Sequence, residues 1–574
     1  MRFTSLFLTK TRLGFKAAAV SALLLMIAAS AVTYLWLRRN ASTCTGQFEL
    51  AIVGGEILDG LGSPAIRADL GIRDKRIVCI GTIDRSQAAR VIDASGFTVA
   101  PGFIDVHTHV ERNVPARTGA FLAPNFVRQG VTTLITGNCG RSFLDLGKAF
   151  SQLEANGSEV NIASFIGHNT IRHQVMGDTA AAPSADQLAK MKSYVAAAMR
   201  DGALGLSTGL EYIPGTFART NEIVELASVV RAGNGIYVSH LRNEGADGPA
   251  AIAEAISIGR RTGVHVHISH FKAEGPNQWG SATARLNLVK QALDNGVMVS
   301  LDQYPYTASS TTIAVLLPSW VSSAGAGGLR HRLDDPAMRA RVRGEMLEKL
   351  KMTGWHDYSF ARVSYCGFNR AVVGLTIPEI TQTHALLRPQ RDGGKPINAS
   401  LNGAAESPDH NLERQADTVI DLFSHGDAQM VFFNMSEDDV ETIIREPQVM
   451  FGSDSGVRDE SSEALPHPRG LGTFPRVLGV FSRDKHLFSM EEAIRRMTSL
   501  PAQTFGLNGR GEIKENYYAD LVVFDRNRVI DTATYERPLS TPQGIYYVLV
   551  NGAVVLDHEV LTKARSGLVL RRQS

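Results

Sequence analysis

Eight short apolar segments, each followed by a helical pattern, constrain the fold of this chain more than any other feature. The predicted strands span residues 97–104, 131–136, 160–166, 203–208, 235–240, 264–270, 297–303 and 447–453. Segments between them, such as "SADQLAKMKSYVAAAMRDG", carry the apolar spacing of helices that bury one face. Eight successive strand–helix units predict an α/β fold, and specifically a (β/α)8 TIM barrel.

The chain has 574 residues, which is too long for one ordinary core, so further units are expected around the barrel. About 140 residues separate the seventh and eighth strands, which predicts an insertion at about 318–445 within a barrel domain of 99–500. Residues 48–98 and 501–574 show the alternation of short strands. We expect these two segments to form a small β-sandwich domain built from both chain ends.

The N-terminal segment differs in kind from the rest of the chain. Residues 17–37, "AAAVSALLLMIAASAVTYLWL", carry no charge, and about 20 apolar residues suffice to span a bilayer. Basic residues are in excess in residues 1–16, which predicts that this end stays in the cytoplasm. We therefore expect a single-pass membrane anchor, a linker at 38–47, and a catalytic domain outside the cytoplasm, in the periplasm of a Gram-negative cell. The alternative is secretion after signal cleavage, because Ala29-Ser30-Ala31 fits a cleavage site.

Composition and cysteine usage narrow the functional classes. Hydrophobic residues make up 44% of the chain and the net charge is +2, which is typical of a globular protein and argues against a general nucleic-acid binder. Cys44, Cys79, Cys139 and Cys366 lie far apart, and their spacing does not support a disulfide framework. Cys79 and Cys366 are expected to pack in apolar cores.

Good metal ligands follow the predicted barrel strands at their carboxyl ends, where barrel enzymes place their chemistry. They are His107 and His109 after the first strand, Cys139 after the second, His240 after the fifth, His270 after the sixth and Asp454 after the eighth. Each residue alone would have an ordinary explanation, such as core packing or a turn. Because they all follow strands at one end of one barrel, the sequence predicts a metal centre.

Thiolate and imidazole ligands together select zinc over harder cations. Cys139, His240 and His270 would form a site with three protein ligands and one open position, the usual arrangement of a catalytic zinc. His107, His109 and Asp454 would form a second, weaker site. Zinc lowers the pKa of a bound water to about 7, so this centre predicts a hydrolase.

These residues also carry a family resemblance. The matching motifs are "APGFIDVHTH", "GNCG", "GLSTGLEYIPG", "YVSHLRNE", "HISHFKAEGPNQWG", "DQYPYTASST", "GSDSG" and "HPRGLGTFPRVLG". The chain resembles the amidohydrolase superfamily and, within it, the N-acyl-D-amino-acid deacylases (D-aminoacylases). The resemblance implies zinc-dependent cleavage of the linear amide of a small N-acyl-D-amino acid, giving a carboxylate and a free D-amino acid. It further implies one tightly bound zinc on the cysteine side, Asp454 as general acid and base, and selectivity for the D form.

A substrate of this kind carries an α-carboxylate that needs a cationic partner. Lys272 and Arg469 are the candidates, with Tyr304 as a hydroxyl donor, and arginine suits bidentate contact with a carboxylate. Glu211, after the fourth strand, is the next candidate base. Trp279 is a candidate wall of the acyl pocket, with aromatic packing as the alternative.

Other functions remain open from the sequence. The same chemistry would cleave dipeptides with a C-terminal D-residue, or cyclic amides as in hydantoinases and dihydroorotases. "GNCG" and "HPRGLGTFPRVLG" favour linear amides. A different class is a non-catalytic, membrane-tethered binding protein, against which the complete ligand set and Asp454 argue.

Overall fold

Strands and helices alternate along most of the chain. The structure is a computed structural model that describes residues 43–114, 119–322, 333, 335–383, 408–458 and 464–572. The strands are β1 (Phe48–Val53), β2 (Glu56–Ile57), β3 (Ile66–Arg67), β4 (Asp69–Arg73), β5 (Arg76–Gly81), β6 (Ala88–Asp93), β7 (Thr98–Pro101), β8 (Phe103–Asp105), β9 (Val131–Thr136), β10 (Asn161–Ser164), β11 (Ile166–Gly167), β12 (Gly205–Gly209), β13 (Ile236–His240), β14 (His265–Ile268), β15 (Val299–Gln303), β16 (Ser309–Thr312), β17 (Ala361–Tyr365), β18 (Gln429–Phe432), β19 (Val449–Phe451), β20 (Leu521–Phe524), β21 (Ile545–Val550), β22 (Ala553–Asp557) and β23 (Val560–Leu561).

The α-helices lie mainly between the barrel strands. They are α1 (Pro124–Val127), α2 (Leu146–Asn156), α3 (His168–Met176), α4 (Ala185–Arg200), α5 (Thr220–Ala232), α6 (Gly248–Thr262), α7 (Ala282–Asp294), α8 (Pro336–Thr353), α9 (Ile377–Gln382), α10 (Pro408–Gly426), α11 (Glu437–Ile444), α12 (Arg469–Arg476), α13 (Met490–Met497) and α14 (Ser499–Phe505). Local signals set their ends. Ser184 and Gln187 form a capping box at the start of α4, and Gly263 ends α6 in a left-handed conformation.

Eight parallel strands close into the predicted (β/α)8 barrel. Strands β8, β9 and β10 pair in that order, and β11 to β15 continue to β19. Phe165 joins β10 to β11, so these two form the third barrel strand, and a parallel bridge from Thr108 to Ser455 links the first strand to the last. Every residue of β9, "VTTLIT", is buried, as expected when helices cover the outer face.

The long connection between β15 and β19 forms a separate unit with its own core. Strands β16, β18 and β17 make a small antiparallel sheet, and α8 and α10 pack in the same unit. Its core includes Ile313, Met346, Val419 and Phe432. The strands and helices of this unit span 309–432, compared with the insertion predicted at about 318–445.

The two chain ends meet in a pair of sheets. A four-stranded sheet has the order β5-β4-β1-β6, and a seven-stranded sheet has the order β23-β22-β21-β20-β7-β2-β3, in which β7 pairs with β20. One apolar core joins Leu50 and Ile72 to Val523 and Leu549. The fold therefore combines strands from both termini beside the barrel.

A disulfide joins Cys44 to Cys79, with their Cα atoms 6.0 Å apart. The reading of Cys79 as simple core packing is therefore wrong. The spacing of cysteines along the chain does not show which of them are bonded, so the sequence could not predict this pair. A parallel bridge between Thr43 and Thr82 brings the segment with Cys44 next to the segment with Cys79. Cys139 and Cys366 are buried free thiols.

The predicted membrane anchor, residues 17–37, lies outside the described residues. Among the helices that the structure does describe, none is both long enough and apolar enough to cross a bilayer.

Candidate active site

The predicted ligands converge at the carboxyl end of the barrel. Donor atoms lie within 4.8 Å of one another in three overlapping groups: His107, His109 and Cys139; Cys139, His240 and His270; and His107, His270 and Asp454. All six residues that the sequence assigned to the metal centre and to proton transfer belong to these groups. The structure shows that these side chains lie close together. Their roles as metal ligands remain predictions.

Glycines shape the turn that presents Cys139. Gly137 and Gly140 both have positive φ angles, of 79° and 75°. A Cβ atom would lie 2.3 Å from the Phe165 carbonyl oxygen at Gly137 and 2.1 Å from Asn169 Oδ1 at Gly140. The two glycines of "GNCG" are thus required by their positive φ angles and by close contacts on both sides of the thiol.

Three of the converging residues have unusual backbone conformations. Cys139, His270 and Asp454 have φ angles of 50°, 36° and 49°, in the left-handed region that non-glycine residues rarely adopt. Such residues persist where the surrounding structure holds them, and they cluster at functional sites. Here each one lies two or three residues after the end of a barrel strand, and its side chain reaches the cluster.

Donor spacings around Cys139 fit zinc. Its Sγ lies 3.6 Å from His240 Nδ1 and 3.6 Å from His270 Nε2. A tetrahedral zinc separates a sulfur and a nitrogen ligand by about 3.6 Å and two nitrogen ligands by about 3.3 Å. The two imidazole nitrogens are 2.8 Å apart, so a shift of about 0.5 Å completes the site. The donor set and its spacing therefore fit zinc.

Each histidine of the cluster places its second ring nitrogen near a carboxylate. The pairs are His107 Nδ1 with Asp302 Oδ2 at 3.4 Å, His240 Nε2 with Glu211 Oε2 at 3.0 Å, His270 Nδ1 with Glu244 Oε1 at 2.9 Å and His109 Nδ1 with Glu111 Oε1 at 3.8 Å. Metal-binding histidines commonly have such partners, which fix the orientation of the ring. The sequence analysis missed Asp302, Glu244 and Glu111. Glu111 and Glu244 follow strands that bear ligands, which could have indicated them, whereas Asp302 lies within β15, which bears no predicted ligand.

A further chain of hydrogen bonds extends from Asp302 into the barrel. His267 Nε2 lies 2.7 Å from Asp302 Oδ2, and His267 Nδ1 lies 2.9 Å from Ser300 Oγ. Asp302 also accepts the backbone N–H of His270 at 2.9 Å. One buried carboxylate thus supports ligands on both sides of the cluster.

The cluster concentrates negative charge that calls for a cation. Burial raises the pKa of the Cys139 thiol, but His107 and His240 hold it well below its ordinary value. Burial lowers the pKa of His107, yet Cys139 and Asp302 raise it to about 10. Zn²⁺ bound among these groups would place two positive charges beside the thiolate and the carboxylates.

Asp454 lies between the cluster and Arg469. Its Oδ1 is 3.0 Å from His109 Nε2, and its Oδ2 is 2.9 Å from Arg469 Nη1, in an ion pair that lacks hydrogen-bond alignment. Burial raises the pKa of Asp454, but Arg469 and His107 more than offset this and hold it well below its usual value. The carboxylate is therefore ionised at neutral pH.

Of the three predicted carboxylate-binding residues, two lie near the ring of the third, Tyr304. Lys272 Nζ and Arg469 Cζ lie 5.6 Å and 4.7 Å from the centre of the Tyr304 ring. The Tyr304 hydroxyl is buried and has no hydrogen-bond partner among the described residues. Lys272 is already paired with Glu244 at 2.6 Å. Tyr304 and Arg469 are therefore the better placed for an additional anion.

Two cavities open from the cluster. One, on the His240 and His270 side, reaches an apolar wall built by the inserted unit, with Val315, Leu316, Met346, Leu350, Trp355, Phe360 and Phe432 among its lining residues. Trp279 does not line this cavity. The side chain of Trp279 is 42% exposed and packs edge-on against Trp355. Trp355, and not Trp279, lines the cavity wall. The other cavity, on the His109 side, is lined by Arg141, Arg458 and Arg469.

Comparisons with known proteins agree with this geometry. Residues 90–371 and 395–556 match the amidohydrolase family. The chain is 35% identical to a D-aminoacylase of Alcaligenes xylosoxydans xylosoxydans, covering 92% of this chain and 98% of that protein. It is 34% identical to an N-acyl-D-glutamate deacylase of the same organism, covering 92% and 97%.

Solved structures are also similar over the same length, and one of them is a zinc complex. It is the N-acyl-D-glutamate deacylase of Bordetella bronchiseptica, complexed with zinc and a phosphonate inhibitor that mimics the tetrahedral intermediate. The TM-score is 0.74 at 32% identity, covering 92% of this chain and 100% of that one. The likeness thus includes both the barrel and the sheets beside it.

Proposed function

Because the chain belongs to the amidohydrolase family and to its D-aminoacylase branch, we propose that it is a zinc-dependent hydrolase of N-acyl-D-amino acids. It cleaves their linear amide bond to a carboxylate and a free D-amino acid. The observation that carries the proposal is the convergence of Cys139, His240 and His270 at zinc-compatible spacing, directly beside the ionised Asp454.

The residues of the site have distinct tasks in this reaction. Zinc held by Cys139, His240 and His270 would supply Lewis-acid chemistry, activating a water and polarising the amide carbonyl. Asp454, ionised and at the edge of the cluster, accepts the proton of the attacking water and returns it to the leaving amine. His107 and His109 provide the donors for a second, weaker metal.

Substrate orientation depends on the groups around Tyr304. The unpartnered Tyr304 hydroxyl and the Arg469 guanidinium together match one carboxylate, with a neutral and a charged donor. Lys272 is paired with Glu244 at 2.6 Å, and its Nζ also lies 2.8 Å from His270 Nδ1, so it contacts a predicted zinc ligand as well as lying near Tyr304. The α-carboxylate of the substrate therefore binds at Arg469 and Tyr304.

Metal analysis of two cysteine variants tests this assignment. Cys139→Ser is expected to lose most of its zinc and its activity, because a neutral hydroxyl is a poor zinc ligand. Cys366→Ser is the matched control, since Cys366 is also a buried free thiol but lies in the core of the inserted unit. Equal zinc content per folded molecule in the two variants would overturn the site.

We further propose that residues 17–37 anchor the protein in a membrane with the barrel outside the cytoplasm, with secretion after signal cleavage as the alternative. The uncharged segment and its basic N-terminal flank support this. The Cys44–Cys79 disulfide also supports it, because disulfides persist mainly in oxidising compartments. Protease added to spheroplasts should reach the barrel, and carbonate washing should not release it. A mainly cytoplasmic pool would contradict the proposal.

Cleavage of dipeptides with a C-terminal D-residue is the second candidate activity. It is favoured by the apolar cavity on the His240 side, which offers space for a side chain beyond the cluster. An exported enzyme would also meet peptides that contain D-residues. Comparing N-acetyl-D-leucine with L-alanyl-D-leucine as substrates separates the two activities.

A further inference from the structure

The cavity on the His109 side is lined by three arginines and three carboxylates, and one of the arginines, Arg458, has no ion pair with any of those carboxylates. The cavity has a volume of 460 Å³ and is reached from the metal cluster past His109, Cys139 and Asp454. Arg458 and Arg469 form its inner wall, and the exposed Arg141 lies at its rim. This cavity is distinct from the apolar cavity on the His240 side. A substrate held at the cluster would therefore have an apolar cavity on one side and a charged cavity on the other.

Arg458 lacks a counter-ion in the part of the chain that the structure describes. Its Nε is buried without a hydrogen-bond partner, and only its backbone N–H is engaged, with Asn125 Oδ1 at 3.1 Å. Arginine is seldom left buried without a partner, because the loss of hydration is costly. An anion absent from the chain itself would satisfy this group.

The acidic residues of the same cavity already have partners other than Arg458. Glu111 accepts a hydrogen bond from Thr136 at 2.7 Å, and Asp427 accepts one from Thr312 at 2.7 Å. Asp454 is shared between His109 and Arg469. None of these carboxylates has an ion pair with Arg458 among the described residues.

Electrostatics at Arg458 agree with this geometry. Burial lowers the pKa of Arg458 and the nearby Arg469 lowers it further, while Asp454 offsets part of this, so that the pKa is about 10. The guanidinium is still protonated at neutral pH, so two cations face one cavity beside the reacting bond. The positive charge of Arg469 disfavours the charged form of Arg458, and an anion beside Arg458 would offset this repulsion.

We infer that Arg458 binds a second carboxylate of the substrate, in addition to the α-carboxylate held by Arg469 and Tyr304. The inference rests on the proposed function and makes the preferred substrate a dianion. The second carboxylate belongs either to an acidic side chain of the D-amino acid or to the acyl group. Arg141, at the rim, attracts the same charge from solvent.

Two matched substrate pairs test the inference and locate the carboxylate. N-acetyl-D-glutamate is compared with N-acetyl-D-glutamine, and N-succinyl-D-leucine with its terminal amide. In each pair the two members differ by charge at nearly constant shape. The zinc-loaded enzyme is expected to have a kcat/KM at least about 10-fold higher for the acid in one pair, and that pair identifies the source of the charge.

Arginine variants then assign the preference to Arg458. Arg458→Gln is expected to reduce the acid-to-amide ratio by roughly 10- to 100-fold, the scale of a charge-assisted hydrogen bond. Arg458→Lys keeps the charge and should retain part of the ratio. Arg458 also packs against Gly470, where a Cβ would lie 3.0 Å from its Cγ, so a purely structural role is the competing explanation. In that case both members of a pair would lose activity together and the ratio would not change, which would overturn the inference.

The experiment separates failure of this inference from failure of the proposed function. Equal rates on acid and amide by the wild-type enzyme would overturn the second carboxylate site and leave the deacylase activity established. Absence of hydrolysis for all four substrates, with zinc bound, would overturn the proposed function itself and the inference with it.

Discussion

The Cys44–Cys79 disulfide makes a stability prediction that can be worked from the chain. The bond closes a loop of 35 residues. In the chain-entropy treatment, a loop of that length removes about 4 kcal/mol of conformational freedom from the unfolded state. The two cysteines belong to the N-terminal segment that packs beside the barrel, so the loss should first affect unfolding of those sheets.

Urea unfolding of the part of the chain from Thr43 onwards measures the effect. For a denaturant slope of about 2 kcal/mol/M, Cys44→Ala with Cys79→Ala should lower the midpoint of that transition by about 2 M. Reductant should lower the wild-type midpoint by a similar amount and leave the double variant unchanged. Cys366→Ala is the control, because it removes a buried thiol without breaking a bond. A wild-type midpoint that does not respond to full reduction of the disulfide would refute the reasoning.

Three further predictions concern the active site. Asp454→Asn should keep the cysteine-side zinc and lose roughly 10²–10⁴-fold in kcat, and retention of more than about a tenth of the wild-type kcat would exclude Asp454 as the proton carrier. Arg469→Ala should chiefly raise KM, with a smaller fall in kcat because Arg469 Nη1 also lies 2.9 Å from Asp454 Oδ2; an unchanged KM would contradict the α-carboxylate contact. Glu211→Gln should weaken zinc binding about 10- to 100-fold in a chelator competition, since Glu211 Oε2 lies 3.0 Å from His240 Nε2; an unaltered zinc affinity would show that Glu211 does not orient the ligand.

The barrel and its ligand set were accessible from sequence for a simple physical reason. Strands such as β9 and β13 are short and fully buried, so their ends could be located; His240 is the last residue of β13, and Cys139 lies three residues after β9. The parallel arrangement then brings all such ends together.

Features that depend on which loops meet in space could not be predicted from the sequence. Glu244 and Asp302 resemble ordinary acidic residues until their contacts with His270 and His107 are seen. The Cys44–Cys79 pair depends on a bridge between distant segments, and Trp355 replaces Trp279 because the inserted unit folds over the barrel mouth. Each of these features depends on contacts between segments that are distant along the chain. The local sequence pattern does not show how such segments are placed relative to one another.

Hydrolysis of enantiomeric substrates as a function of zinc tests the central claim most directly. Chelator-treated protein is assayed on N-acetyl-D-leucine and N-acetyl-L-leucine before and after zinc is added in equimolar amount. The account predicts no turnover without zinc and restored cleavage of the D substrate with about one zinc per chain, while the L substrate remains intact. Cleavage without zinc, or equal cleavage of both enantiomers, would contradict it.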